Sequence, residues 1–288
     1  MLTTEPELIA DYACVVGEGP LWHPDERRLY WLDIERGRIF RYDPASGAHE
    51  QVYQGEPIGG ATIQEDGALV LFMARGAIAI WRDGRLTTLI DEIPDERAGR
   101  FNDVIADPAG RVFCGTMPIG ARPGRLYRLD PPHDLAVIQS EVGMPNGMGF
   151  TPDRRRMYHT DTTARRIFRS DYDASSGRLT NQQVFVEIPE DLGSPDGMTV
   201  DAEGCVWAAI WGGGCLLRLD PDGAEIARIA FPASNVSSVT FGGDDYADLY
   251  VTTAGGDDKA ANGPGAGALF RLRPGIQGKP EFRSRMRG

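Results

Sequence analysis

One short phrase occurs six times along this chain, and it constrains the fold more than any other feature. The copies are EGPLWHPDERRLYWLD from Glu18, GGATIQEDGALVLFM from Gly59, NDVIADPAGRVFCGT from Asn102, NGMGFTPDRRRMYHTD from Asn146, DGMTVDAEGCVWAAI from Asp196 and SSVTFGGDDYADLYVTT from Ser237. Each holds a small or polar residue, a short apolar run, a Pro/Asp/Gly turn and a second apolar run. The starts lie 41, 43, 44, 50 and 41 residues apart. A strand–turn–strand unit repeated at that period is the mark of propeller blades. The expected fold is therefore all-β, a six-bladed β-propeller with a central tunnel, with residues 1–288 forming one domain. No Ser/Gly/Pro linker interrupts the repeat.

Short β-branched or aromatic runs such as 28–34, 68–72, 112–115, 157–160, 206–210 and 249–253 are bounded by turn chemistry, among it Asp43-Pro44, Asp66-Gly67, Asp107-Pro108 and Asp220-Pro221-Asp222-Gly223. No sustained 3.6-residue periodicity appears, so almost no α-helix is expected. Six blades use residues 18 to about 283, and Glu7 to Val16 is left to add a strand to the last blade, closing a ring that would otherwise expose an edge. The irregular stretches 117–124, 211–214 and 254–267 are candidates for the rim of a site.

Composition narrows the function. A net charge of −12 argues against nucleic acid and against an anionic membrane as partners. The N-terminus lacks a basic region followed by an apolar core, and no run approaches the length of a membrane helix. Cys14, Cys114, Cys205 and Cys215 show no metal-ribbon spacing. The expectation is a cytoplasmic monomer acting on a small molecule.

Symmetry-related positions on six blades surround one axis, which places Glu18, Asn102, Asn146 and Asp196 about a single point. Two carboxylates and an amide oxygen converging at a tunnel mouth repel one another unless a cation lies between them. An all-oxygen set with open positions suits a divalent ion of the Ca, Mg or Mn type, with Zn and Fe(II) as alternatives. No GxSxG elbow and no His-rich metal motif is present, which argues against a serine hydrolase or a zincin. His159 and Asp161 share a strand face by the repeat alignment, as either a catalytic pair near the tunnel or a structural histidine. His23, His49 and His133 fall in turn-rich segments and read as surface residues. Trp31 and Trp207 read as blade packing, and Trp211 as a candidate floor of the pocket.

GEGPLWHP at 17–24, RFND at 100–103, PNGMGFTPD at 145–153 and SPDGMTVDAEG at 194–204 resemble the gluconolactonase/regucalcin family, also described as senescence-marker and luciferin-regenerating-enzyme-like. The resemblance spans essentially the whole chain and implies a six-bladed propeller. It also implies a metal-dependent hydrolase of a sugar-acid lactone, such as glucono- or xylonolactone. On that resemblance Glu18, Asn146 and Asp196 match the metal ligands, and Arg100 and Asn102 match residues holding the substrate; Asp196 is in addition the candidate proton acceptor. Some animal members carry a glutamate after the GTM segment that touches sugar hydroxyls. Here Gly115-Thr116-Met117 is followed by PIGARPGR, without an acid, so Arg122 or Arg125 becomes a candidate for altering sugar preference. Hydrolysis of other esters or phosphotriesters, and a non-catalytic calcium-binding propeller, are the competing readings.

Overall fold

The computed structural model describes residues 3–287. Six four-stranded antiparallel sheets follow one another around an axis. Blades 1 to 5 take residues 17–54, 58–90, 101–142, 145–187 and 194–230 in order. Blade 6 takes 236–273 and borrows its outermost strand, Thr3–Asp11, from the other end of the chain. That strand pairs with Ala268–Arg273, Glu7 opposite Arg271 and Asp11 opposite Ala268. The expected closure is therefore present, with the strand a few residues earlier than the sequence suggested. Among the described residues the one helical element is a single 3₁₀ turn, Pro94–Glu96. None is a helix long and apolar enough to cross a membrane.

The innermost strands, Gly17–His23, Ile58–Ile63, Phe101–Ala106, Pro145–Phe150, Ser194–Val200 and Val236–Gly242, are almost wholly buried. The outermost, such as Arg178–Glu187, are largely exposed, because only one end of each sheet can reach the core. Aromatic side chains pack between blades and strands: Trp207 meets Phe241 edge-on, and Trp31 stacks on Phe40.

Antiparallel order puts the start of every inner strand, and the turn between the second and third strands of every blade, on one face. The stretches 117–124, 211–214 and 254–267 are all such turns and lie on that face. The opposite face carries the inner hairpins, and residues 274–287 cross it as a strap that touches every blade. Gly278 N–H donates to Tyr246 O (2.8 Å), Ala202 N–H to Gln277 O (2.9 Å), Ser284 N–H to Ile63 O (2.8 Å) and Arg285 N–H to Gly110 O (3.0 Å). Phe282 lies edge-on to Phe150, and Arg283 pairs with Asp25 at 2.6 Å.

Candidate functional site

Every inner strand begins with a β-bulge. The register shifts between Glu18 and Leu21, Ile58 and Gly60, Phe101 and Val104, Asn146 and Met148, Pro195 and Met198, and Val236 and Ser238. A bulge adds a residue and re-aims side chains. Here six of them occupy the same end of the tunnel. The glycines of the repeated phrase are needed for space at this point. A Cβ on Gly59 would fall 2.0 Å from Phe101 O, one on Gly147 2.5 Å from Met198 N, and one on Gly197 2.1 Å from Ser238 Oγ. They let neighbouring inner strands approach until their polar side chains share one small space.

Glu18, Asn102, Asn146 and Asp196 are brought together there, none more than 6 % exposed. Asn146 Nδ2 donates to Thr162 Oγ1 (3.1 Å) and to Asp196 Oδ1, and Thr162 in turn donates to Pro195 O (2.8 Å). That network fixes the amide orientation and leaves Asn146 Oδ1 buried without a partner. Glu18 accepts from the Gly19 N–H (2.8 Å). Asn102 sits slightly aside: its Nδ2 donates to Pro145 O (2.9 Å), and its Oδ1 accepts from Arg100 Nη1 (2.9 Å). Arg100 also donates to Phe101 O (3.0 Å) and, through Nη2, to Glu35 Oε1 (3.2 Å).

A third carboxylate, Asp103, shares the space, and the six-copy alignment did not single it out. The extra residue of the bulge lets both Asn102 and Asp103 serve the ring, and the adjacent polar pair in RFND was the available signal. Asp103 keeps some accessible surface toward the tunnel although protein surrounds it, and burial pushes its carboxyl up to about 7, against the pull of Arg100. Glu18 is pushed well above the carboxylate range by burial and then by the charges of Asp103 and Asp196, with Gly19 N–H and the Ser238 hydroxyl opposing. Asp196 is raised by burial and then by Asp103, with Asn146 and Arg100 opposing.

These residues fit a divalent cation. Two buried carboxylates and an unpartnered buried amide oxygen form a hard oxygen donor set, and a cation would relieve both their repulsion and the orphaned Asn146 Oδ1. Asp201, Glu203 and Cys205 also bring ligand atoms within 4.8 Å of one another. Asp201 is already committed there, to the N–H groups of Glu203 and Cys205, to Trp207 Nε1 and to Arg218, so that cluster serves the blade.

Several other expectations are corrected. His159 does not face the tunnel: it lies on Phe168 (5.3 Å between centroids) beside Val142 of blade 3. Both its ring nitrogens lack partners, and burial lowers it to about 4. Asp161 takes the N–H groups of Gly143, Met144 and Ala164, so it shapes a turn. His23 is buried rather than superficial, pairing with Gly67 O at 2.9 Å. Arg122 makes a two-pronged pair with buried Glu96 (2.8 Å to each oxygen), and Arg125 pairs with Asp95 (2.8 Å); both guanidinium groups are held in the loop they pin.

Residues 16–255 match the family described as the SMP-30/Gluconolactonase/LRE-like region. The chain belongs to that family. It is 51 % identical to a pentonolactonase of Haloferax volcanii over 97 % of this chain and 98 % of that protein. It is 34 % identical to a 6-deoxy-6-sulfogluconolactonase of Pseudomonas putida over 93 % of this chain and 94 % of that one. Among solved structures, a calcium-binding protein, regucalcin, from Agrobacterium tumefaciens superposes with a TM-score of 0.88 at 29 % identity, covering 98 % of this chain and 97 % of that one. The six-bladed propeller is thus the family's fold as well as this chain's.

Proposed function

We propose that this chain is a metal-dependent lactonase that opens a five-carbon sugar-acid lactone to the free aldonate. The observation that carries the reading is the tunnel-mouth ring, where Asn146 Oδ1 is buried and unpartnered and the Glu18 and Asp196 carboxylates are buried with it. The pentonolactonase relative supports the substrate class, and the calcium-binding relative supports calcium as the ion. Glu18, Asn146 and Asp196 would hold the ion. Once bound, it supplies Lewis-acid stabilisation of the negative charge that develops on the lactone carbonyl oxygen.

The remaining work falls to the chain's own residues. Arg100 keeps N–H groups beyond those given to Phe101, Asn102 and Glu35, and these orient substrate oxygens. Asn102, fixed at both ends of its amide, holds Arg100 in place and lines the approach. An Asp196 oxygen accepts the proton of the attacking water. The strap crosses the far mouth, so the ring face is the route assigned to substrate and product. Because the N-terminal strand and the strap tie both ends of the chain into the ring, residues 1–288 are read as one domain.

The test is proton release from a panel of fresh C5 and C6 aldonolactones, corrected for spontaneous opening, before and after chelation and with single metals restored. Chelator-sensitive turnover fastest on a pentonolactone is expected. No rate above background with any metal overturns the reading.

A further inference from the structure

The loop after Gly115-Thr116-Met117, PIGARPGR, carries no acid, and both of its arginines are committed to partners within the protein. Arg122 and Arg125 are spent on Glu96 and Asp95. An acid does reach the mouth from another blade. Glu35 lies in the turn between the second and third strands of blade 1, on the ring face, and its Oε1 accepts from Arg100 Nη2 at 3.2 Å. Its side chain is 47 % exposed, and among the described residues its Oε2 takes no hydrogen bond from the protein.

The turn that carries Glu35 is held rigidly. On one side Asp33 is fully buried, accepting from Val16 N–H (3.2 Å) and Arg38 (2.6 Å). Ile34 N–H donates to Val16 O (3.0 Å). On the other side Gly37 has a φ of +56° and packs so closely that a Cβ would lie 2.2 Å from Gly55 O. Glu35 is therefore an exposed acid on a fixed mount rather than on a wandering loop.

We propose that Glu35 is a specificity-determining residue, and that with Arg100 it forms a paired acceptor and donor that recognises the ring hydroxyls of the lactone. A sugar hydroxyl both donates and accepts. A carboxylate that only accepts, beside a guanidinium that only donates, matches two neighbouring hydroxyls of a polyol and offers nothing to a bare lactone. The Glu35 charge also partly offsets Arg100, which favours neutral polyols over anionic ligands at this mouth. The assignment rests on the lactonase reading and deepens it.

The experiment compares wild type, Glu35→Ala and Glu35→Gln on a pentonolactone and on γ-butyrolactone, which has no hydroxyl. Loss of a charged hydrogen bond predicts a fall in kcat/KM on the pentonolactone of about tenfold, carried by KM. The fall for Glu35→Ala is expected to be several times larger on the pentonolactone than on γ-butyrolactone, with Glu35→Gln between Ala and wild type because an amide oxygen still accepts. Equal proportional falls on both lactones would make Glu35 merely a support for Arg100, and no fall on the pentonolactone would remove it from the site; either overturns the assignment. Should wild type turn over neither lactone, the lactonase reading itself fails. Glu35 is then judged by calorimetric binding of a neutral pentitol, where an unchanged affinity in Glu35→Ala overturns the assignment as well.

Discussion

The tunnel has two ends built from the same six strands, and they are built to opposite rules. At the strap end, Thr62, Gln64 and Ser284 are all paired. Thr62 Oγ1 donates to Ser284 Oγ (3.0 Å), Gln64 Nε2 to Met286 O (2.6 Å), and Met286 N–H returns a bond to Gln64 Oε1 (2.9 Å). At the ring end, three carboxylates share a small space, all held above their ordinary range, and a buried amide oxygen has no partner. Between the two lies a cavity of about 70 Å³ reached by Asp103 from the ring and by Glu281 and Phe282 from the strap. One end holds the fold together; the other gathers buried carboxylates whose repulsion a cation would offset. Strain concentrated at a functional site and offset elsewhere is the general pattern.

That contrast can be broken, and the strongest test is Asp196→Asn. Turnover should fall by ~100- to 10,000-fold, as for other groups that take a proton in the transition state. Thermal unfolding in chelator should shift upward, because one of three mutually repelling carboxylates is gone. A destabilised metal-free variant would contradict the description of the ring as strained. The pH dependence comes next. An acid whose folded pKa is raised binds more protons folded than unfolded between its unfolded value and about 7, so its contribution to stability is lost as pH rises through that window. In chelator, wild type should lose stability relative to Asp103→Asn between about pH 4 and pH 7, with a limiting slope of about 1.4 kcal/mol per pH unit. Parallel stability curves for the two proteins would show that Asp103 is not raised.

At the strap end the expected effects are smaller and purely structural. Phe282→Ala removes a ring packed on Phe150 and covered by Arg154, and should cost about 2 kcal/mol in denaturant unfolding. Its kcat/KM on the lactone should stay within about twofold of wild type. A large loss of activity with unchanged stability would show that the two ends are not independent. Gln64→Ala, which strands Met286 N–H and O, should cost about 1 kcal/mol and sharpen the same contrast.

Legibility in the sequence followed the same division. The blade repeat was readable because each unit writes its own strand–turn–strand pattern locally. The ring residues Glu18, Asn102, Asn146 and Asp196 were readable because symmetry puts equivalent positions about one axis. Asp103 was obscured by the bulge, which offsets a count that assumes one residue per strand position. The repeat alignment put His159 on an inner strand near the tunnel, but that strand is the second of its blade, and the face it presents meets blade 3 instead.

By itself the sequence determined what repeats: six blades, turn chemistry, glycines at most of the crowded starts, and the polar residues that stand at four of them. Only the tertiary structure decided what meets across blades. Glu35 and Arg100 are 65 residues apart in the chain, and Thr62 and Ser284 are 222 apart. Such contacts depend on the ring closing and on the bulges turning side chains inward, and no local pattern carries that information. The physical reason is that strand periodicity is a nearest-neighbour property, whereas the chemistry at the tunnel mouth arises from charges and amides that become neighbours only when six sheets share an axis.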